Sequence, residues 1–282
     1  MSSNFHTHSV YCDGRGTLRE YVDYAVAHNF DALGFSSHAP VPFNNRFALR
    51  PDRYEDYCRE VRALRDEHQG RIDLFLGLEI DYIPGLLDNF EPLVRQGGLD
   101  YFIGGVHLVA VPGESQSDNP DERAERLWFI DGSRQETYDE GLQRLFGGDI
   151  RRAVTAFFRQ SNEMIERTHP PVVAHIDKIA MHNRGRYFST DEAWYQLLLG
   201  ETLLLAHEAG CVVEVNTRGL YKGRHTDFYP SRRALTDMNR IGIPVIVSTD
   251  AHAPEELDRT EGAYTMLHEM GYRNVLERID LL

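Results

Sequence analysis

The sequence predicts an α/β fold of parallel strands and helices, of the (β/α)7 barrel type, and three observations carry that expectation. Short β-prone runs alternate with amphipathic stretches along the chain, a pattern that implies parallel βαβ units. Seven such runs can be picked out, which suits a closed barrel better than an open doubly wound sheet. A chain of 282 residues is also a common length for an α/β barrel forming one domain, so residues 1–282 are expected to be a single domain.

The runs follow in order. "NFHTHS" (4–9) opens the chain and leads into the amphipathic stretch 18–29, "LREYVDYAVAHN". "DALGFSSH" (31–38) precedes the helical stretch 53–70. "IDLFLGLEID" (72–81) and "DYFIGGVH" (100–107) come next, and a long helical stretch occupies 150–168. "PVVAH" (171–175), "CVVEVN" (211–216) and "IPVIVSTDAH" (243–252) complete the set, with helical stretches at 191–210 and 230–242 between them. Apolar residues recurring at helical spacing distinguish these stretches from the compact apolar runs of buried strands. Residues 112–149 break the rhythm, because they far exceed the few residues that join a strand to its helix. This insertion is expected to be a lid over the strand ends, since "RLWFIDG" places Trp128, Phe129 and Asp131 in an otherwise polar segment.

Composition narrows the partners. The formal net charge of −14 argues against a nucleic-acid surface, which needs a basic face. Three scattered cysteines form no disulfide framework and suit a reducing cytoplasm. No apolar run approaches the ~18 residues of a spanning helix, so no membrane partner is expected.

Chemistry concentrates at the ends of the runs, the face where barrel folds gather their functional residues. His6 and His8 stand two apart on a β-prone run, so both side chains leave the same face and can chelate. Asp250 and His252 repeat that geometry, while His38, Glu79, His107 and His175 each stand alone at a run's end. Asp13, in the turn after the first run, supplies a ninth candidate donor. Imidazoles and carboxylates together suit zinc, iron or manganese, and nine donors exceed what one four-coordinate ion can use. Two to three divalent ions are expected, with Glu79 the natural bridge because a carboxylate has two oxygens. Basic residues form a second constellation: Lys178, Arg184 and Arg186 follow His175, and Arg218, Lys222 and Arg224 follow Glu214. Guanidinium and ammonium groups at that face suit a phosphate. His182 and His225 also follow run ends and are further candidates to touch substrate.

These residues resemble the PHP family (polymerase and histidinol phosphatase). The resemblance rests on the HTH opening, SSHAP with His38, GLEID with Glu79, GGVH with His107, AHIDK with His175 and STDAH with Asp250 and His252. "EVNTRGLYKGR" (214–224) is similar to the histidinol-phosphatase branch. The resemblance implies a distorted TIM-like (β/α)7 barrel with a trinuclear metal centre at the C-terminal ends of its strands. By motif, His6, His8, Glu79 and Asp250 would hold the first metal; Glu79, His107 and His175 the second; His38 and His252 the third. The commoner pattern adds a histidine after the first-loop cysteine, where this chain reads "YCDGRG", so the third metal would either be held by Asp13 or be bound weakly.

The expected activity is hydrolysis of a small phosphate monoester, L-histidinol phosphate first, in histidine biosynthesis. Two close metals would lower the pKa of a shared water, giving a metal-bound hydroxide held by Glu79, Asp250 and His175. Trp128 and Asp131 are the candidates for stacking on the imidazole and pairing with the amine. The competing readings are a phosphoesterase acting on another small ester, such as a nucleotide, and a non-catalytic metal-binding accessory module.

Overall fold

Each of the seven runs contributes at least part of a strand in the computed structural model, which describes residues 2–113 and 117–279. The first two are β1 (Ser3–Asn4) and β2 (Ala32–Phe35). The third run is not one strand but two, because it bends at Gly77–Leu78 into β3 (Asp73–Leu76) and β4 (Glu79–Asp81). β5 (Ile103–Gly105) follows, then a hairpin of β6 (Leu108–Ala110) with β7 (Leu127–Phe129). β8 (Val172–Val173), β9 (Val212–Asn216) and β10 (Val245–Ser248) are the last three runs, and β11 (Val275–Leu276) is a further strand.

The strands form two parallel sheets rather than one continuous ladder. One has the order β1-β2-β3 and the other β11-β10-β9-β8-β5-β4, while β6 and β7 pair antiparallel. In the larger sheet Glu79 lies opposite Ile103, Ile103 opposite Val172, Val172 opposite Val212, and Val213 opposite Val245. The sheets meet through two isolated parallel bridges, Thr7 with Ala251 and His38 with Glu79.

Among the described residues, ten α-helices lie between the strands: α1 (Leu18–Ala27), α2 (Tyr54–Glu67), α3 (Glu91–Gly97), α4 (Pro120–Ala124), α5 (Gln135–Phe146), α6 (Ile150–Thr168), α7 (Ala193–Glu208), α8 (Arg218–Tyr221), α9 (Arg232–Ile241) and α10 (Ala263–Glu269). Their starts are written locally. Thr17 and Glu20 form a capping box on α1, Asp149 caps α6 and Ser231 caps α9, each such cap contributing about 1 kcal/mol. Among the described residues, no helix is long and apolar enough to cross a membrane.

Two apolar layers result. Phe5, Ala32, Ile103, Val172, Val212 and Ile246, from or beside six parallel strands, cluster with Tyr101. The opposite strand faces pack on the helices through a larger cluster that includes Leu33, Leu74, Ile80, Val173, Val213 and Val245.

Residues 112–149 are not the polar loop expected, although residues 114–116 lie outside the described ones. β7 pairs with β6, and α5 covers the hairpin. Trp128 is fully buried beneath α5, its ring 4.6 Å from that of Tyr138 and 5.5 Å from that of Phe146. Its indole N–H donates to the Tyr138 carbonyl. Gly141 allows this approach, since a Cβ there would lie 2.3 Å from the indole ring. Trp128 is therefore a core residue, and the expectation that it stacks on substrate is corrected.

Candidate metal centre

Chain geometry at the strand ends delivers nine donors to one region. His6 and His8 follow β1, His38 follows β2, Glu79 begins β4 beside the bend, and His107 and His175 follow β5 and β8. Asp250 and His252 follow β10, where Asp250 adopts a left-handed backbone (φ 52°), a conformation that asparagine and aspartate tolerate better than most residues. That turn aims its carboxylate back at His6 and His8.

Three donor groups emerge. His6 Nε2 lies 3.2 Å and His8 Nε2 3.4 Å from Glu79 Oε2, and the same nitrogens lie 3.9 and 3.4 Å from Asp250 Oδ1. The other Glu79 oxygen, Oε1, is 3.4 Å from His107 Nε2 and 3.1 Å from His175 Nε2, which are 3.0 Å apart. Asp13 Oδ1 is 3.4 Å from His252 Nε2, 4.0 Å from His38 Nε2 and 3.7 Å from His8 Nδ1. Asp13 thus reaches the position where a histidine was missing from the motif.

The spacing fits metal ions. Donors about 2.1 Å from a shared ion at tetrahedral angles stand roughly 3.4 Å apart, near the middle of the separations found here. His6 Nε2, His8 Nε2 and His38 Nδ1 are buried without a hydrogen-bond partner, an arrangement costly unless something else satisfies them.

A ring of carboxylates behind the histidines sets their other nitrogens. Glu214 Oε1 lies 2.5 Å from His6 Nδ1, and Asp81 Oδ1 lies 2.7 Å from His107 Nδ1, the arrangement that fixes tautomer and orientation in metal-binding histidines. Electrostatics follow from these contacts. Burial alone would lower the pKa of His6, but Glu214, Glu79 and Asp250 together outweigh it and raise it well above the ordinary value. Burial, with His252 and His38 nearby, pushes His8 down to about 3. Burial also opposes a charge on His107, yet Asp81, Asp131 and Glu79 lift it to about 10. Glu79 and Asp250 are held well below the carboxylate range against their own burial, chiefly by His6 in both cases. The cluster therefore keeps its carboxylates ionised and available.

A cavity of about 660 Å³ opens over the donors. Lys178, Arg218 and Arg224 line it, as does Asp131. Lys178 Nζ sits between Asp250 (3.5 Å) and Asp131 (3.6 Å), and Asp131 Oδ1 is buried without a partner. Arg218 is tied down, donating to the Asp250 carbonyl and to Glu256 Oε2 at 3.2 Å. Three other basic candidates do not line the cavity. Arg184 donates to the carbonyls of Gly223 and Arg224, Arg186 makes a two-pronged pair with Asp139, and Lys222 pairs with Glu256. Each is held by a partner on another segment and away from the cavity, which argues against the expected role in binding phosphate. His182 donates to the Gly132 carbonyl and so braces the Asp131 turn, while His225 contacts Asp227.

Several residues of the site carry no role in the sequence reading, where Phe129 appears only as part of the inserted segment. Phe43, Phe47 and Phe129 form the aromatic wall of the cavity, with the Phe47 and Phe129 rings stacked at 5.8 Å. Asp81 is two residues beyond Glu79 on the same strand face, a signal that was available. Glu214 was visible at the end of its run but had no partner to suggest a role.

Parallel strands that carry clustered imidazoles and carboxylates to one end define an α/β protein with a candidate metal centre. The PHP domain model matches residues 4–218, and the chain belongs to the PHP domain family. The histidinol-phosphatase of Bacillus subtilis is 25% identical over 259 residues, 88% of this chain and 92% of the relative. A hisK structure from Listeria monocytogenes superposes with a TM-score of 0.78 at 20% identity, covering 93% of this chain and 100% of that one. The histidinol phosphate phosphatase of Lactococcus lactis, solved with zinc, L-histidinol and phosphate, gives a TM-score of 0.65 at 19% identity over 97% and 95% of the two chains.

Proposed function

We propose that the protein is a metal-dependent phosphomonoesterase that hydrolyses L-histidinol phosphate to L-histidinol and phosphate. The observation that carries this reading is the set of three adjoining donor groups, joined through Glu79 and His8, beneath a cavity lined by Lys178, Arg218 and Arg224. The relative from Lactococcus lactis holding zinc, L-histidinol and phosphate supports the choice of substrate.

His6, His8, Glu79 and Asp250 would hold one divalent ion, Glu79, His107 and His175 a second, and Asp13, His38 and His252 a third. Zinc, iron and manganese all suit this donor set. Bound there, such ions supply Lewis acidity towards phosphoryl oxygens and lower the pKa of water towards neutrality. The remaining work falls to the chain. Glu214 and Asp81 keep a proton on the far nitrogen of His6 and His107, leaving Nε2 free to ligate. Arg224 and Lys178 place cations at the cavity wall, where they offset charge on the phosphate. Arg218 holds the left-handed turn at Asp250 through its carbonyl. Asp131 offers its unpartnered oxygen to the substrate ammonium, and the wall of Phe43, Phe47 and Phe129 takes the imidazole in place of Trp128.

The two sheets and their bridges support a distorted (β/α)7 barrel within one domain, and the lining of the cavity by Ala124, Phe129, Asp131 and Ser133 supports a covering role for the inserted segment. Phosphate release from L-histidinol phosphate tests the function, measured beside a nucleotide and other small esters. Release that stops on chelation and returns with zinc, manganese or iron is expected. No release from fully loaded protein overturns the substrate assignment.

A further inference from the structure

Helix α7 carries apolar residues on nearly all sides, and such a helix is ordinarily buried all round. One side here is not. Tyr195, Leu199, Thr202, Leu203 and Ala206 face inward, but Leu197 is 63% and Leu204 50% exposed. These two stand seven residues apart, so they lie on one face two turns from each other. Between them is Gly200, where an added Cβ would meet nothing within 4 Å. Gly141 is required by the indole beneath it; nothing among the described residues requires Gly200, although a glycine in mid-helix costs stability. Two leucines flanking a bare backbone are suited to close approach by a second helix.

Charge identifies the occupant. Glu201 is exposed beside the stripe and makes no ion pair among the described residues. Across the shallow groove between α7 and α9, Arg233 and Arg240 hold only surface pairs with Asp191 and Asp237. An apolar strip with an acid on one side and arginines on the other is complementary to itself under a twofold axis. Two copies each carrying a net charge of −14 repel, and this face, with its charges balanced locally, lets them meet.

We propose that the α7–α9 face is a twofold interface between two copies of this chain, with the two α7 helices crossing at Gly200 and Glu201 of each copy facing Arg240 of the other. Sedimentation velocity on the full-length, metal-loaded protein tests this over the micromolar range. A species of twice the chain mass is expected, and Leu197→Glu or Leu204→Glu should convert it to single chains with unchanged circular dichroism and a melting temperature that no longer depends on concentration. Glu201→Arg and Arg240→Glu should each be monomeric alone, and an equimolar mixture of the two should restore the dimer, because both contacts then pair opposite charges. Single chains at every concentration, or a dimer untouched by both leucine substitutions, overturns the interface. Failure of the mixture to associate overturns the pairing.

Discussion

Glu214→Gln removes one charge and changes almost no volume, so its consequences come from hydrogen bonding. The wild-type carboxylate accepts from four donors. His6 Nδ1 and the Ser248 hydroxyl reach Oε1, and the His175 N–H (2.9 Å) and Asn216 amide (3.2 Å) reach Oε2. A glutamine can accept at only one end. If its NH2 takes the Oε2 position, it confronts two donors, because Asn216 is held in orientation by the Arg218 N–H on its own oxygen. If the NH2 takes the Oε1 position, His6 Nδ1 must accept, and the imidazole proton moves to Nε2, the atom aimed at Glu79 and Asp250. One arrangement leaves buried donors unpaired at about 1–3 kcal/mol. The other blocks the ligand. Losing a histidine's outer partner weakens metal binding about 10–100-fold, or roughly 1.4–2.7 kcal/mol. Competition against a calibrated chelator measures this directly. Affinity within about twofold of wild type, in a protein with unchanged melting temperature, would refute the reasoning.

Other substitutions separate the site from its scaffold. Glu79→Gln touches two donor groups at once and is expected to lower hydrolysis by more than about a hundredfold, read as kcat at saturating metal. Asp131→Asn should raise KM for L-histidinol phosphate while sparing esters that lack an amine; an unchanged KM removes Asp131 from recognition. Trp128→Ala should cost about 3–5 kcal/mol in urea unfolding, because it empties the space under α5, with KM unchanged for the folded fraction.

The candidate metal donors that the structure brings together were legible because chelation restricts both residue type and placement. His6 with His8, and Asp250 with His252, share a strand face by periodicity alone. Helix positions were legible for a similar reason: 150–168 is apolar at helical spacing throughout, and α6 occupies those residues. The bend at Gly77 splits a run that reads as one strand, and only pairing with different neighbours reveals it. Trp128 reads as a substrate contact because its apolar neighbours in sequence sit in a polar segment, and only the packing of α5 over the β6–β7 hairpin shows what covers it. Basic loop residues were the least readable. Arg186 and Arg218 have the same chemistry and each pairs with a carboxylate, Asp139 and Glu256; what separates them is that only Arg218 also lines the cavity.

The two places where the parallel sheets touch coincide with the donor groups. Thr7 lies between His6 and His8, and its bridge partner Ala251 lies between Asp250 and His252; the second bridge joins His38 directly to Glu79. Each seam is one bridging pair of residues held by a few backbone hydrogen bonds and flanked by side chains that converge across it. Ions bound there would act as rivets, joining in three dimensions strands that the hydrogen-bond ladder leaves almost separate. Stripping them would then loosen the architecture at its seams before it disturbed the helices, so the same atoms that prepare a phosphate for attack would also keep the open end of the scaffold in register.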